Sequence, residues 1–124
     1  MNDSLLRVKS FAFALRTIKL HKHLVDQREY TLSKQVLRSG TSIGANIEES
    51  IHAQSRTDFI HKLSIAQKEA SETRYWLRLL KESHLLGEKL SSSLIADCEE
   101  LQRMLAASIK TAKRNLNAAQ NKER

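Results

Sequence analysis

The residues whose spacing could do chemistry are two arginine–histidine pairs, Arg56 with His61 and Arg16 with His21. Four residues separate each pair, a spacing found in compact helical ribonucleases, in which histidine can move a proton during RNA cleavage. The chain holds ten arginines and five histidines, so about one such match is expected by chance. His61 also falls in the first turn of a predicted helix, where a surface or interface histidine is the simplest interpretation. We therefore expect no catalytic residues and no enzymatic activity, with a ribonuclease as the enzyme alternative.

Metal sites and nucleophiles have weaker support. Glu49 and His52 match one Glu-x-x-His element of di-iron bundles, but such sites need two of these elements and glutamates from two further helices. His21 and His23 diverge by about 200° on a helix, which is awkward for a shared metal ion. Cys98 follows the apolar pattern of its helix and should be a buried hydrophobic residue. We expect no metal, no cofactor and no evident small-molecule substrate.

Composition narrows the class of protein. The 124 residues include 21 Lys plus Arg against 14 Asp plus Glu, a net charge of +7, with no proline, three glycines and 5% aromatic residues. An all-β fold would need more turn and aromatic residues. No segment approaches the roughly 20 apolar residues of a membrane span. A single cysteine allows no internal disulfide, so we expect a cytoplasmic protein that does not act on membranes.

The elements that must position these residues are helices. Apolar residues recur at three- and four-residue steps, which predicts helices over about residues 3–28, 31–52, 57–84 and 89–117, with a frayed tail over 118–124. Ser55 and Asp58 form a capping sequence before the third helix, and Gly87 is expected to end it. Short connections between long helices predict one all-α domain over residues 1–124, an up-down-up-down antiparallel four-helix bundle.

The first helix has two apolar rows, and we assign the row with Val8, Phe11, Leu15, Ile18 and Val25 to the core. The other row lies about 140° or more away, and the third helix has a similar surplus. Wide stripes can reflect deep burial within the bundle, but large exposed apolar patches usually mark interfaces. We therefore predict an oligomer interface made of Leu6, Phe13, Leu20, Ile65, Trp76 and Leu79.

The positive charge is concentrated in two zones. On the first helix, basic residues lie between the two apolar rows, and the fourth helix begins acidic and ends basic. Part of this gradient complements the helix dipole. Two basic zones also fit a phosphate-binding surface without sequence selectivity, whose affinity falls steeply with salt. We predict that nucleic acid, with RNA favoured, contacts Lys9, Arg16, Lys19, Lys110, Lys113 and Arg114.

The second helix contains Gly40 and Gly44, which are poor helix formers on one side of the helix. Ser39, Ser42 and Asn46 form a polar ledge beside them. The simpler interpretation is a close helix crossing whose polar side chains are satisfied internally. In the alternative interpretation, Asn46 and Arg38 contact a ligand.

The second and third helices carry a resemblance to a known family. Arg38-Ser39 and Ser42-Ile43-Gly44-Ala45-Asn46-Ile47-Glu48-Glu49 resemble the signature of the intervening-sequence four-helix-bundle proteins, which are encoded in insertions of bacterial large-subunit ribosomal RNA genes. A second signature spans residues 58–80 and includes Tyr75-Trp76-Leu77. The resemblance covers residues 5–112, and its motif positions are Arg38, Ser42, Asn46 and Glu49. Many members have Ala-Glu-Gly after Asn-Ile, whereas this chain has Glu48-Glu49-Ser50.

The resemblance implies an up-down bundle that assembles into a ring-like homopentamer, and no enzymatic activity or settled role. The family is similar in fold to the accessory variability proteins of diversity-generating retroelements, basic pentamers that bind nucleic acid and a reverse transcriptase. We therefore expect a homo-oligomeric binding or scaffold protein whose partners are its own copies, nucleic acid and, as a further option, another protein. The alternative is a purely structural or protein-docking ring with no nucleic-acid role.

Overall fold

The computed structural model describes residues 3–123, which form four helices: α1 (Asp3–Asp26), α2 (Thr31–Ile51), α3 (Arg56–Glu82) and α4 (Glu88–Glu123). The described residues contain no strand, and consecutive helices pack side by side. The predicted all-α four-helix bundle is confirmed. Within it, α1 and α4 make the sparsest contact of the neighbouring pairs, and α1 and α3 stand at opposite corners.

The helix ends agree with the predicted ones within two residues except at the end of α4. That helix continues to Glu123, six residues beyond the predicted end at residue 117, and Arg124 lies outside the described residues. Ala118 and Ala119 are strong helix formers, and they extend α4 beyond its last buried residue, Ala112.

The residue that caps the start of α3 is the predicted one, but the residue that ends it is not. Ser55 caps α3 as predicted, because its hydroxyl accepts from the backbone N–H of Asp58 at 3.0 Å. Gly87 does not end α3, however. His84 takes the left-handed conformation there, with φ of 61°, as Arg28 does after α1 with φ of 63°. Gly87 instead precedes α4, and its carbonyl accepts from the N–H of Ser91 at 2.9 Å.

The core assignment on α1 is wrong, because the two rows are exchanged. Leu6, Phe13 and Leu20 are at most 3% exposed and pack in the central cluster, together with Leu24. Four members of the row assigned to the core face solvent, with Phe11 exposed to 67%, and Val25 is half-buried. Since Leu6, Phe13 and Leu20 fill the bundle interior, they are removed from the predicted oligomer interface.

A close crossing of α1 and α2 determines which apolar row of α1 faces the core of the bundle. A Cβ built on Gly40 would lie 2.4 Å from Cγ2 of Thr17, and one on Gly44 would lie 3.4 Å from the carbonyl oxygen of Ser10. The two glycines therefore let the Ser10 and Thr17 face of α1 approach α2, as small residues do at tight helix contacts. That orientation turns the neighbouring Leu6, Phe13 and Leu20 row inward.

Candidate functional site

The solvent face of α1 is apolar over about three turns. We define the α1 ridge as Val8, Phe11, Leu15 and Ile18, which are exposed to 63%, 67%, 48% and 39%. Their spacing of three, four and three residues is that of a coiled-coil seam, and it spans about 15 Å of helix. A seam of this kind on the outside of a closed bundle is a surface suited to packing against another helix.

A trough lies beside the α1 ridge, between α1 and α2. It has a volume of about 210 Å³, and its lining is dominated by short side chains: Ser10, Ala14, Thr41, Gly44 and Ala45. The same small residues that permit the close crossing leave this space. Arg7 and Glu48 border the trough in a two-pronged ion pair of 2.8 and 3.1 Å, and this pair lowers the pKa of Glu48. The trough can receive a bulky apolar side chain next to Phe11.

The predicted interface residues of α3 are partly buried. Ile65, Trp76 and Leu79 are all intermediate in exposure, and Trp76 packs against the core. The indole N–H of Trp76 donates to Glu72 at 2.9 Å, and the ring meets that of Tyr75 edge to face at 5.2 Å. Because α1 and α3 occupy opposite corners, one chain does not join these residues to the α1 ridge in a single patch.

Two of the basic residues predicted on α1 have acidic partners on α4. Lys9 Nζ lies 2.9 Å from Glu100, and Arg16 donates to Asp97 at 2.7 Å. Lys19 is exposed and has no ion pair among the residues that the structure describes. Two of the three predicted phosphate contacts on α1 are therefore neutralised within the chain, and the third, Lys19, keeps its charge free within the described residues.

On α4, the acidic residues of the first half have ion-pair partners, whereas a set of exposed basic residues has none within the described part of the chain. Each acidic residue in the first half of α4 pairs with a cation on α1 or α3: Glu88 with Lys81, Asp97 with Arg16, Glu99 with Arg74 and Glu100 with Lys9. We define the α4 basic face as Arg103, Lys110, Lys113 and Arg114. These four are exposed within an arc of about 100° around α4, outside its core stripe, and have no ion pair within residues 3–123.

The motif residues on α2 are satisfied inside the chain. Arg38 pairs with Glu69 and Glu72 on α3, which raises the pKa of Arg38 and contributes to a lowered pKa of Glu72. The Ser42 hydroxyl donates to the carbonyl of Arg38 at 2.6 Å, and the Asn46 amide donates to that of Ser42 at 2.9 Å. These contacts favour the interpretation in which the polar side chains of α2 are satisfied internally at a close helix crossing. They do not favour the alternative, in which Asn46 and Arg38 contact a ligand.

The last motif residue, Glu49, pairs with Lys62 on α3 at 3.1 Å. That contact holds the carboxylate of the one Glu-x-x-His element at the surface. Within the described part of the chain, no group of three His, Cys, Asp or Glu side chains is placed to hold a metal ion. None of the described helices has a stretch long and apolar enough to cross a membrane.

The arginine–histidine pairs do not converge. Arg56 and His61 are both exposed on α3, and five residues of helix separate their directions by about 140°. Arg16 reaches Asp97 on α4, whereas Nδ1 of His21 lies 3.1 Å from the carbonyl oxygen of Ser33 on α2. Neither pair therefore presents a phosphate-binding cation and a proton-transferring histidine in one cleft.

Cys98 is buried, as expected, and its Sγ lies 3.2 Å from the carbonyl oxygen of Ala70. Burial raises the pKa of its thiol to about 12. A thiol of this kind is protonated at neutral pH and is a poor nucleophile.

The fold and these surfaces place the protein in the class of small four-helix bundles with an exposed seam on the first helix. Residues 3–107 match the model of the 23S rRNA-intervening sequence protein, and the chain belongs to this family, as the motifs on α2 and α3 predict. It is also similar to the crystal structure of a protein of unknown function from the S23 ribosomal protein family of Bacteroides thetaiotaomicron. That likeness has 50% identity and a TM-score of 0.87, over 89% of this chain and 99% of the other. A comparison with curated proteins finds no match.

Proposed function

We propose that the protein is a non-enzymatic, self-associating scaffold that holds nucleic acid, with RNA favoured, on the α4 basic face. The observation that carries the proposal is the charge separation on α4. Its proximal acids are all used by Lys81, Arg16, Arg74 and Lys9, while its distal cations have no partner within the described residues. Four unpaired cations on one side of a helix form a phosphate-binding surface.

Self-association is supported by the α1 ridge and the neighbouring trough. Phe11 and Val8 expose most of their surface on one helical face, and small residues leave room beside Phe11 for a partner's side chain. A ridge on one copy that packs on a different face of the next gives a heterologous contact, which closes into a ring when the rotation allows. A ring of five, as the family resemblance implies, would repeat the α4 basic face five times.

Repetition matters because one face alone is a weak ligand for a polyanion. Each phosphate neutralised on single-stranded nucleic acid contributes a slope of about −0.7 to the dependence of log affinity on log salt. Several faces in one assembly act on the same strand, and avidity then raises the affinity without new contacts. No side chain of the α4 basic face is aromatic, so stacking of bases on aromatic rings is not part of this surface.

A salt-dependent titration tests the nucleic-acid proposal. A labelled structured RNA and a DNA of unrelated sequence are titrated with the protein at several salt concentrations, and we expect similar affinities that fall steeply with salt. The triple reversal Lys110→Glu, Lys113→Glu and Arg114→Glu should reduce both affinity and slope. A control reverses three exposed cations elsewhere: Lys34→Glu, Lys68→Glu and Arg78→Glu. Equal losses in both variants would show that net charge, and not the α4 basic face, determines binding.

Light scattering tests the assembly. Phe11→Ser should lower the molar mass at micromolar concentration, because it removes the largest exposed side chain of the α1 ridge. Tyr30→Ser is the matched control, since Tyr30 is 53% exposed but lies in the α1–α2 connection. Trp76→Ala tests the interface predicted on α3. A monomeric wild-type protein, or a Phe11→Ser variant of unchanged mass, would contradict the assignment of the α1 ridge.

A protein-docking or purely structural ring is the second candidate. The ion pairs of Lys9 with Glu100 and of Arg16 with Asp97 favour it, because they occupy cations that would otherwise face phosphate. Absence of RNA and DNA binding even at low salt, in a protein that still assembles, would support this second candidate.

A further inference from the structure

A second groove lies between α1 and α4, at the end of the bundle where α4 begins. It has a volume of about 340 Å³ and is lined by Arg16, Lys19, Leu20, His23, Leu90 and Leu94. Its origin is topological. Helices α1 and α4 are not consecutive in the chain, no connection closes the space between them, and they make the sparsest contact of the neighbouring helices.

The floor and one wall of the groove are apolar. Leu20 and Leu94 are 3% and 1% exposed and form the floor. Leu90 lies at the rim with 43% of its surface exposed. An apolar group that entered the groove would cover Leu90 and lie against the floor, and burial of that surface favours binding.

The polar side of the groove offers the ammonium group of Lys19 and the imidazole ring of His23. Lys19 and His23 lie one helical turn apart on α1, and neither has an acidic partner within residues 3–123. The nearest polar contact of His23 is neutral, with Gln27 at 3.1 Å. Arg16, which also lines the groove, is engaged by Asp97 on α4. An anion could therefore approach Lys19 without meeting an unpaired carboxylate among the lining residues.

The groove is short, and this limits what can occupy it. The Arg16–Asp97 ion pair lies at the end of the groove that is nearer the start of α1. Farther toward the start of α1, Lys9 and Glu100 form a second ion pair between the same two helices. A helix or a long strand of a partner would have to displace both pairs. A volume of about 340 Å³ instead lies at the lower end of the range of small-molecule sites.

We propose that this groove binds a small organic anion with an apolar tail, of the chemical class of a medium-chain carboxylate. The carboxylate lies against Lys19 and His23, and the tail lies on Leu20 and Leu94 beneath Leu90. The site goes beyond the scaffold function and does not rest on it, because none of its lining residues belongs to the α1 ridge or the α4 basic face. The lining contains no Phe, Tyr or Trp, so it lacks the large aromatic rings on which nucleobases stack in single-strand binding proteins.

Calorimetric titration of the full chain with decanoate, decanol and adenosine monophosphate tests the class of ligand. We expect saturable binding of decanoate, clearly weaker binding of decanol and no binding of the nucleotide. Equal binding of decanoate and decanol would show that Lys19 and His23 do not recognise the headgroup and would overturn the proposal. Binding of the nucleotide without decanoate would assign the groove to nucleic acid, and no binding of any probe would also overturn it.

Paired variants test the position of the ligand. Lys19→Gln should weaken decanoate binding by about tenfold, as expected for the loss of one charge-assisted contact. Lys22→Gln is the control, because it removes the same charge from an exposed position on α1 that does not line the groove. Leu90→Ser should weaken binding, and Leu85→Ser, at a similarly exposed leucine outside the groove, should not. Equal effects within either pair would overturn the assignment.

Discussion

The close crossing of α1 and α2 makes Gly40→Ala the most informative single substitution. The new methyl group would lie 2.4 Å from Cγ2 and 3.0 Å from Cβ of Thr17, a fully buried side chain. Overpacking a tight core costs about 1–3 kcal/mol, and a contact this short puts the cost near 3 kcal/mol. Replacing a helical glycine returns about 1 kcal/mol. We therefore expect a net loss of about 2 kcal/mol, or roughly 8 °C in Tm for a domain of this length.

Thermal unfolding followed by circular dichroism, at one protein concentration, measures this effect. Gly44→Ala is the matched control, since its methyl group would meet Ser10 at 3.4 Å, which is ordinary contact. That variant should be neutral or more stable by up to about 1 kcal/mol. Thr17→Ser should rescue Gly40→Ala, because it removes Cγ2 and retains the hydroxyl that donates to Ala14 at 2.7 Å.

The double-mutant cycle gives the decisive number. Direct contact predicts a coupling between Gly40→Ala and Thr17→Ser of more than about 1 kcal/mol, since residues that clash do not act additively. If Gly40→Ala and Gly44→Ala raise Tm alike, the helices do not approach as closely as described. The argument for the inward row of α1 would then lose its physical basis.

Three further effects follow from single side chains. His84→Gly should stabilise the protein by about 0.5–1 kcal/mol, because a left-handed residue with a Cβ is strained. Gly87→Ala should change the stability little, since its new Cβ would meet nothing within 4 Å. Chemical denaturation measures the stability of both variants. Cys98 should resist a thiol reagent until the chain is unfolded, and rapid labelling of the native protein would contradict its burial. The indole of Trp76 lowers the pKa of Glu72, so the stability that Glu72 contributes is present at neutral pH and lost as pH falls through that lowered pKa. Glu72→Gln should reduce the loss of stability in acid, measured as the unfolding midpoint against pH.

Much of the fold follows from local sequence signals. Apolar periodicity predicted the four helices, and the Ser55 cap predicted the start of α3. The end of α3 was predicted less well, because a left-handed residue need not be glycine. The run from Ser83 to Gly87 offers several positions for the turn, and the turn falls at His84. Propensity alone does not choose between them.

The orientation of α1 could not be read from its own periodicity. Apolar residues lie on both of its faces, so either row satisfies the helical repeat. A signal was nevertheless available in the pairing of small residues. Ser10 and Thr17 lie seven residues apart on α1, and Gly40 and Gly44 lie one turn apart on α2. Matching these two sets places the row beside Ser10 and Thr17 inside, and the α1 ridge outside.

The availability of each cation is a property of tertiary structure alone. Lys9 and Glu100 are 91 residues apart, and Arg16 and Asp97 are 81 apart, so no local pattern shows that these charges neutralise one another. The sequence could locate basic zones but could not say which cations keep a free charge. In the fold, the acids in the first half of α4 meet cations from α1 and α3, and Lys110, Lys113 and Arg114 lie at least ten residues beyond the last of those acids, Glu100. The excess positive charge therefore includes the α4 basic face, and a polyanion at this face would not have to break an ion pair within residues 3–123.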